Sequence, residues 1–318
     1  MSIKKRALIC GISGQDGGLL SKFLLDKNYI VFGTSRDINA NNFANLVHLK
    51  IKNNVILLNM SPEDFKSVFV TIKESNPDEV YFLAGQTSVG LSFELPMETL
   101  NSISIGTLNI LEACKIINKN IKIYNAGSSE IFGNTKIDNP ATENSNFNPR
   151  SPYAISKAAS TWLVSNYREA YGIFACTGIL FNHESIYRPE RFVTQKIIRT
   201  AKNISQGSKE KLKLGRLDII RDWGLAEEYV EAMWLMLQLN HPEDFLIATG
   251  FSYSLLDFVK IAFEQYNLNW SNFVVSDPAL YRPTDILSSY ANPINAKIKL
   301  GWEAKTQLKS LIKKMSEN

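Results

Sequence analysis

Tyr153 and Lys157 stand four residues apart in the run SPYAISK. On a helix that spacing puts both side chains on one face. An ammonium beside a phenol favours the phenolate, so the pair can draw a proton from a substrate hydroxyl. Upstream, the run NAGSSEIFG holds Ser128 and Glu130 just past a strand-like stretch. Ser128 can hydrogen-bond the same substrate oxygen. Glu130 has two readings of equal weight. A carboxylate there can remove a proton α to a newly made ketone, or it can be a structural acid that takes backbone N–H bonds after the strand. A Tyr-x-x-x-Lys pair alone reads better as a surface helix pair. The order of the other parts along the chain is what changes that reading.

Those parts begin at ALICGISGQDGG, where Gly11, Gly14 and Gly17 lie between a strand-like run and a helical one. The first glycine permits a tight turn, the second lets the backbone approach a pyrophosphate, and the third permits close helix–strand packing. The helix N-terminus then offers N–H donors to the phosphates. A nicotinamide dinucleotide is the cofactor implied, with hydride and proton transfer on a sugar as the chemistry. After the second strand the chain reads Thr34-Ser35-Arg36-Asp37. Arg36 suits a ribose 2′-phosphate through charge-assisted bonds. Asp37 either neutralises Arg36 or serves as the acid that an NAD enzyme uses there. The reading favours NADP.

The elements that must position these groups alternate. RALICGI, YIVFGTS, NVILLNM, EVYFLAG and IKIYNAG read as strands. Helical patterns separate them, among them SPEDFKSVFVTIKES with Ser61 as N-cap and METLNSISIGTLNILEACKII as one helix. The polar run NTKIDNPATENSNFNPRSP is a loop long enough to be functional. A helix from about Tyr153 to Tyr171 and the strand FACTGILF follow. The expected fold is α/β: a Rossmann-type, doubly wound parallel sheet with a smaller C-terminal α/β substrate domain. Residues 1–186 are expected to form the NADP-binding domain. Residues 187–318 would mainly form the substrate domain, with some segments returning to the first. There the expected elements are helices at RFVTQKIIRTAKNIS, AEEYVEAMWLMLQL and SLLDFVKIAFEQYN, and short strands at KLKLG and FLIATG.

The chain has 318 residues, 45% hydrophobic and 21% charged, enough to bury a large core. Its formal charge of +4 comes without a dense Lys/Arg run, so nucleic-acid binding is not expected. Cys10, Cys114 and Cys176 lie in apolar runs and read as reduced core thiols. With no Cys-x-x-Cys pair and only His48, His183 and His241, no zinc site is expected. No stretch of about 18 apolar residues occurs, so no membrane association and a cytoplasmic location are expected.

GISGQDGGLLSKFLL, LAGQTSVGLSFE, NAGSSEIFG, SPYAISK, NYREAYGIFACTGILFNHES, RFVTQKI, RDWGLAEEYVEAMW and EDFLIATG together resemble the GDP-mannose 4,6-dehydratases. These belong to the extended short-chain dehydrogenase/reductase superfamily. The resemblance covers nearly the whole chain, and ILFNHES and RDWG mark this branch in particular. It implies a lyase that holds NADP and regenerates it each turnover. Tyr153 would deprotonate the 4-hydroxyl, and Glu130 would take the carbon-5 proton and help expel the 6-hydroxyl as water, giving a GDP-4-keto-6-deoxy sugar. Ser128, Glu130, Tyr153 and Lys157 are the catalytic set so implied. Gly11, Gly14, Gln15, Asp16, Gly17, Arg36, Asn59, Met60, Leu83, Ala84, Gln86, Thr87, His183 and Arg188 match cofactor positions, with Tyr153 and Lys157 shared. Ser88, Asn182, Lys196, Arg221, Arg282 and Asp285 match positions that face the GDP-sugar. A homodimer or homotetramer is also implied, with Trp162 and Tyr167 as bulky groups for a partner helix to cover.

The chain departs from the family at several of these places. A pair of arginines becomes Arg36-Asp37, an acid after the third strand becomes Asn59-Met60, and a histidine becomes Ser88. Ile186 replaces a proline, and Asp285 stands where a glutamate is usual. These changes touch cofactor choice and the sugar pocket, so GDP-mannose and a GDP-heptose are both candidate substrates. A GDP-4-keto-6-deoxy-sugar reductase or epimerase is the nearest alternative activity. A nucleotide-binding sensor without catalysis would have damaged catalytic residues, and all four are intact.

Overall fold

The computed structural model describes residues 4–317, which divide into two compact units. The first comprises the chain through Ile131, Pro149–Leu180 and Val230–Phe245. It carries β1 (Arg6–Cys10), α1 (Gln15–Asp26), β2 (Ile30–Ser35), α2 (Ala44–His48), β3 (Ile56–Asn59), α3 (Phe65–Ser75) and β4 (Glu79–Phe82). Then come α4 (Val89–Glu94), α5 (Pro96–Leu100), α6 (Gly106–Ile117), β5 (Lys122–Ala126), α7 (Pro152–Tyr171) and β6 (Ala175–Leu180). Two further elements cross the boundary between units, α9 (Ala226–Gln238) and β10 (Phe245–Ile247).

The sheet runs β10-β6-β5-β4-β1-β2-β3, and the five neighbouring pairs from β6 to β3 are parallel. Strand order reverses between β1 and β4, the place where such sheets open a crevice at their carboxyl ends. The inner strands are apolar runs buried on both faces, as a covered parallel sheet requires, whereas β3 at the edge is partly exposed. Leu8, Val80, Ile123, Val68, Ile110 and Val164 form the core between the sheet and α3, α6 and α7. The three cysteines are free and buried within the same unit.

Several elements differ from expectation for local reasons. Helix α3 starts at Phe65, capped by Asp64, whose carboxylate accepts the Lys66 N–H at 3.0 Å. Ser61 is therefore not its N-cap; its N–H donates to Ser67 Oγ at 3.0 Å. The run expected as one helix from Met97 to Ile117 is interrupted by a π-helical turn over Asn101–Ile105. The wider turn lets Ser102 Oγ accept the Gln86 N–H at 3.3 Å. Tyr167 is buried in the core, with its hydroxyl donating to Glu112, so no partner helix can cover it. Trp162, on the same helix, is 61% exposed.

The second unit comprises Phe132–Asn148, Phe181–Tyr229 and the residues from Leu246 onward. Its elements are β7 (Asn182–Glu184), α8 (Val193–Ser205), β8 (Leu212–Leu214), β9 (Ile220–Leu225), β11 (Ser252–Ser254), α10 (Leu255–Glu264), β12 (Val274–Ser276) and α11 (Leu308–Ser316). Strands β11, β9 and β7 form a small mixed sheet, and β12 pairs with β8. Ile197, Ala201, Trp223, Phe258, Phe263 and Leu311 lie in its core. Side chains tie its loops. Asn134 Oδ1 accepts the N–H groups of Leu287 (2.6 Å) and Ser288 (3.2 Å). Glu143 accepts the Leu246 N–H at 2.9 Å and the Asn295 amide at 2.7 Å. The polar segment expected as a long loop is held this way. Among the described residues no helix is long and apolar enough to cross a membrane, and no cluster of His, Cys, Asp and Glu could hold a metal.

Candidate active site

Tyr153 and Lys157 open α7. Ser151 caps that helix, its hydroxyl accepting the Ala154 N–H at 3.1 Å, and Pro152 occupies the first helical position. The buried face of α7 runs Tyr153, Lys157, Ser160, Thr161, Val164 and Tyr167, and small residues let it lie close to its neighbours: Ser104 Oγ donates to Ser156 O at 3.1 Å. Lys157 is only 6% exposed, and its Nζ donates to the Ala126 carbonyl at the end of β5, 2.6 Å away. The same nitrogen lies 5.9 Å from the Tyr153 ring centre. Burial pulls the Lys157 ammonium down to about 8, with the Asp16 carboxylate pulling the other way.

Ser128 and Glu130 follow β5 directly, in the same unit as the helix. Gly127 makes that exit possible, since a Cβ there would lie 2.7 Å from Thr177 Cγ2 and 3.0 Å from the Gly178 carbonyl. Ser128 is buried, and its Oγ accepts the backbone N–H of Glu130 at 3.3 Å. The Glu130 side chain is half-buried, and among the described residues its carboxylate accepts no hydrogen bond. It does not accept the backbone N–H groups that follow the strand.

The glycine turn is built as the spacing implies. Gly11 has φ +89°, and a Cβ on it would lie 3.0 Å from the Ala84 backbone. A Cβ on Gly17 would lie 2.4 Å from the Gly11 carbonyl. Gly14 precedes α1, and no side chain caps that helix. Gln15 and Asp16 form its first turn, with the Gln15 amide on Asp16 Oδ1 at 3.0 Å. Uncapped first-turn N–H groups beside a glycine cradle suit an anionic pyrophosphate. Across the turn, Leu83, Ala84, Gln86 and Thr87 follow β4. Gly85 has φ +129°, and the Gln86 amide donates to Ser88 O (2.8 Å) and Thr99 Oγ1 (3.2 Å). Ser88 caps α4 by accepting the Leu91 N–H at 3.3 Å.

After β2, Asp37 folds back on its own loop, where Oδ1 accepts the N–H groups of Asn39 (2.8 Å) and Ala40 (3.1 Å). It does not pair with Arg36, which is 68% exposed and lies 3.5 Å from Glu98. Asn59 Oδ1 holds the Ile38 N–H at 2.9 Å, and the neighbouring Met60 side chain is in the core.

The remaining candidates lie in the second unit. His183 is buried, its Nδ1 is 2.8 Å from the Phe181 carbonyl, and its ring stacks on Tyr229 at 4.6 Å. Arg188 lies over the Phe192 ring at 3.8 Å, with Glu184 at 3.3 Å. Asn182 opens β7, Arg221 is a buried residue of β9, and Lys196 is exposed on α8 with its Nζ on Lys213 O at 2.7 Å. Arg282 and Asp285 lie 3.9 Å apart after β12. Sequence reasoning missed two residues that shape this site. The Ser151 cap was readable in the Ser-Pro pair before the helix, but the π-turn that presents Ser102 left no signal in the helical run.

The strand order and the Tyr153–Lys157 helix define a short-chain dehydrogenase/reductase-type protein. Solved structures agree on that fold: UDP-glucose 4-epimerase from Thermotoga maritima with UDP-glucose (TM-score 0.86, 23% identity, 98% of this chain, 97% of that one) and dTDP-glucose 4,6-dehydratase from Bacillus anthracis in complex with NAD (TM-score 0.85, 18% identity, 98% and 95%). A family model for GDP-mannose 4,6 dehydratase matches residues 8–315. GDP-mannose 4,6 dehydratase 1 of Arabidopsis thaliana is 43% identical over 98% of this chain and 89% of its own length. GDP-mannose 4,6-dehydratase of Vibrio cholerae is 38% identical over 98% and 93%. The chain belongs to the GDP-mannose 4,6-dehydratase family.

Proposed function

We propose that the protein is an NADP-dependent lyase that dehydrates a GDP-hexose, GDP-mannose first among them, to its 4-keto-6-deoxy product. The observation that carries this reading is Glu130. Its carboxylate is left without a hydrogen bond, two residues after Ser128 at the end of β5. A reductase needs hydride and one proton, with no elimination for such a base to drive.

Tyr153 Oη would take the proton of the sugar 4-hydroxyl, and the Lys157 ammonium would favour the phenolate that does so. Ser128 Oγ would bond the same sugar oxygen. Once carbon 4 is a ketone, the carbon-5 proton is acidic enough for Glu130 to remove. The same carboxylic acid would then return that proton to the departing 6-hydroxyl. A nicotinamide dinucleotide bound at the glycine turn would supply the oxidation at carbon 4 and the reduction at carbon 6, and one proton returned to carbon 5, offset by the one Tyr153 took from the 4-hydroxyl, would complete the product.

The residues present fit that group: Gly11 and Gly17 leave no room for side chains, and α1 starts without a side-chain cap. Arg36 supports NADP over NAD, because its sequence neighbour Asp37 is already bonded to the Asn39 and Ala40 N–H groups, and its other acidic neighbour, Glu98 at 3.5 Å, is an exposed partner that a 2′-phosphate would displace. The second unit would take the GDP-sugar, with Arg221 and Arg282 on the diphosphate and Asn182, Lys196 and Asp285 toward the rest. Arginine suits the diphosphate because its planar fork bonds two oxygens at once. A second copy of the chain would cover α7 and the helices before it, where Trp162, Ile155, Ile105 and Met97 are exposed. Sedimentation velocity measures that assembly.

The test is incubation of a panel of GDP-hexoses and GDP-heptoses with catalytic NADP or NAD, read by mass spectrometry. Loss of one water from GDP-mannose without net cofactor consumption is expected, faster with NADP. Glu130→Gln should bind cofactor normally and lose at least ~100-fold in elimination. Stoichiometric consumption of NADPH, or a Glu130→Gln enzyme as fast as the parent, would sink the proposal.

A further inference from the structure

Asp222 is the residue after Arg221 in the RDWG run, and none of the chemistry above uses it. It is fully buried in β9. Its Oδ1 accepts the Thr249 N–H at 3.0 Å and the Thr249 hydroxyl at 2.9 Å, and its Oδ2 accepts the Gly250 N–H at 2.8 Å. The Phe251 N–H donates to Thr249 Oγ1 at 3.0 Å and so fixes the hydroxyl that Asp222 accepts. Gly250 has φ +82°, the left-handed conformation that curls successive N–H groups around one anion. None of these partners is charged. Burial pushes the Asp222 carboxyl up to about 7 even with the surrounding donors pulling the other way.

A carboxylate buried without a cation is costly unless its lone pairs are filled. The arrangement therefore commits one turn, Thr249 to Phe251, to one strand residue. Asp222 and Arg221 point to opposite faces of β9, as neighbours on a strand must. Asp222 cannot pair with the guanidinium; it can only set the backbone that carries it. Before Arg221 the strand is held at Ile220, whose N–H donates to Leu287 O at 2.8 Å and whose carbonyl accepts the Ser289 N–H at 3.1 Å; Asp222 holds the side that follows. Strand β11 contributes three residues, paired Ser252 with Asp222, Tyr253 with Arg221 and Ser254 with Ile220, and β7 pairs only beyond, from Trp223 onward. The turn that Asp222 grips leads directly into β11. Arg221 itself is 5% exposed, with Nη1 on its own neighbour's carbonyl, Ile220 O, at 2.9 Å. A short displacement of this strand would carry a buried, poorly adjustable guanidinium with it.

We infer that Asp222 is a positioning residue for nucleotide-diphosphate binding, holding β9 in register with the Thr249–Phe251 turn so that Arg221 meets the phosphates. The inference rests on the reading of Arg221 as a diphosphate ligand. Asp222→Asn keeps the size but turns an amide toward the N–H groups. Its predicted effect falls on binding rather than on turnover: GDP affinity weaker by about tenfold, a matching rise in KM for the GDP-sugar, kcat within about threefold and NADP affinity unchanged.

A residue that merely stabilised the unit would act independently of Arg221, so the deciding experiment is a double-mutant cycle on the GDP dissociation constant measured by calorimetry. Arg221→Met alone should weaken GDP. Adding Asp222→Asn to Arg221→Met should weaken it no further. If the two effects multiply instead, Asp222 does not act through Arg221 and the inference is overturned, as it is if Asp222→Asn binds GDP like the parent. If Arg221→Met itself binds GDP normally, the diphosphate reading fails and the inference goes with it. Should Asp222→Asn not fold, Thr249→Val removes one donor, leaves the backbone bonds, and completes the same cycle with an expected loss of about threefold.

Discussion

The first unit holds its chemical groups on a wide ladder of backbone bonds. Lys157 and Ser128 sit where α7 and β5 meet, and five parallel strand pairs stand behind them. In the second unit the strands are three to six residues long, and much of the bracing comes from side chains bonded to backbone: Asn134 to Leu287 and Ser288, Glu143 to Leu246, Asp222 to Thr249 and Gly250, Glu228 to Lys305. A ladder is redundant, because losing one side chain leaves its neighbours paired. A staple is less so, since it joins segments that share only a few backbone bonds, such as Thr135 N–H to Ser288 O at 3.0 Å. The comparison teaches that substitutions in the first unit should change chemistry with little loss of fold, whereas in the second a single polar change should loosen structure.

The largest expected effect tests the first half of that contrast. Lys157→Met removes a buried ammonium from a well-braced corner. Turnover should fall about 10³-fold while the melting temperature changes little. The parent's pH dependence follows from the same residue. Burial lowers Lys157 from its ordinary 10.5 to about 8, so the folded chain holds fewer protons than the unfolded one between those values. Stability from this group therefore rises as pH increases from about 8 to 10.5, and the cost of burying the charge is fully present below 8. Activity should run the other way, declining as the ammonium is lost above about 8. Chemical denaturation and kcat/KM across that range would show the opposed trends, and parallel trends would contradict them.

Glu143→Ala tests the second half. It strands the Leu246 N–H and the Asn295 amide, at an expected cost of about 2 kcal/mol. A domain of this size should then melt several degrees lower. Hydrogen exchange should quicken at Leu246 before it quickens in β5, and uniform loss of protection would erase the distinction between the units. The smallest effect is expected at Trp162, exposed on α7 and outside both kinds of bracing. Trp162→Ala should leave melting and cofactor binding alone and shift the sedimentation profile toward smaller species. An unchanged profile would remove this face from any assembly.

Much of the first unit was legible because its signals are local. Apolar runs a few residues long mark β1, β4 and β5, glycines at fixed spacing mark the turn before α1, and Tyr153 and Lys157 share a face through helical geometry alone. The second unit was harder to read. Strand β9 carries Arg221 and Asp222 inside it, which breaks the strand-like pattern, and β7 and β11 are too short to show one. The loss of Tyr167 as an outward group has a similar cause, since spacing on a helix does not say which flank a neighbouring helix will bury.

What the residues alone determined is the repertoire: a phenol, an amine, a serine and a carboxylate in an order that supports proton transfer, behind a turn that only glycine can make. Those depend on neighbours within a few positions, so covalent geometry suffices. What only the tertiary structure decided is the state of each group. The acceptor for Lys157 is a backbone carbonyl 31 residues away, Glu130 is left without a bonded donor, and Asp37 is spent on its own loop. Asp222 is enclosed by a turn that begins 27 residues further on. Such pairings are set by which distant segments the core brings together, and hydrogen-bonding partners chosen at that range leave no periodic trace in the chain.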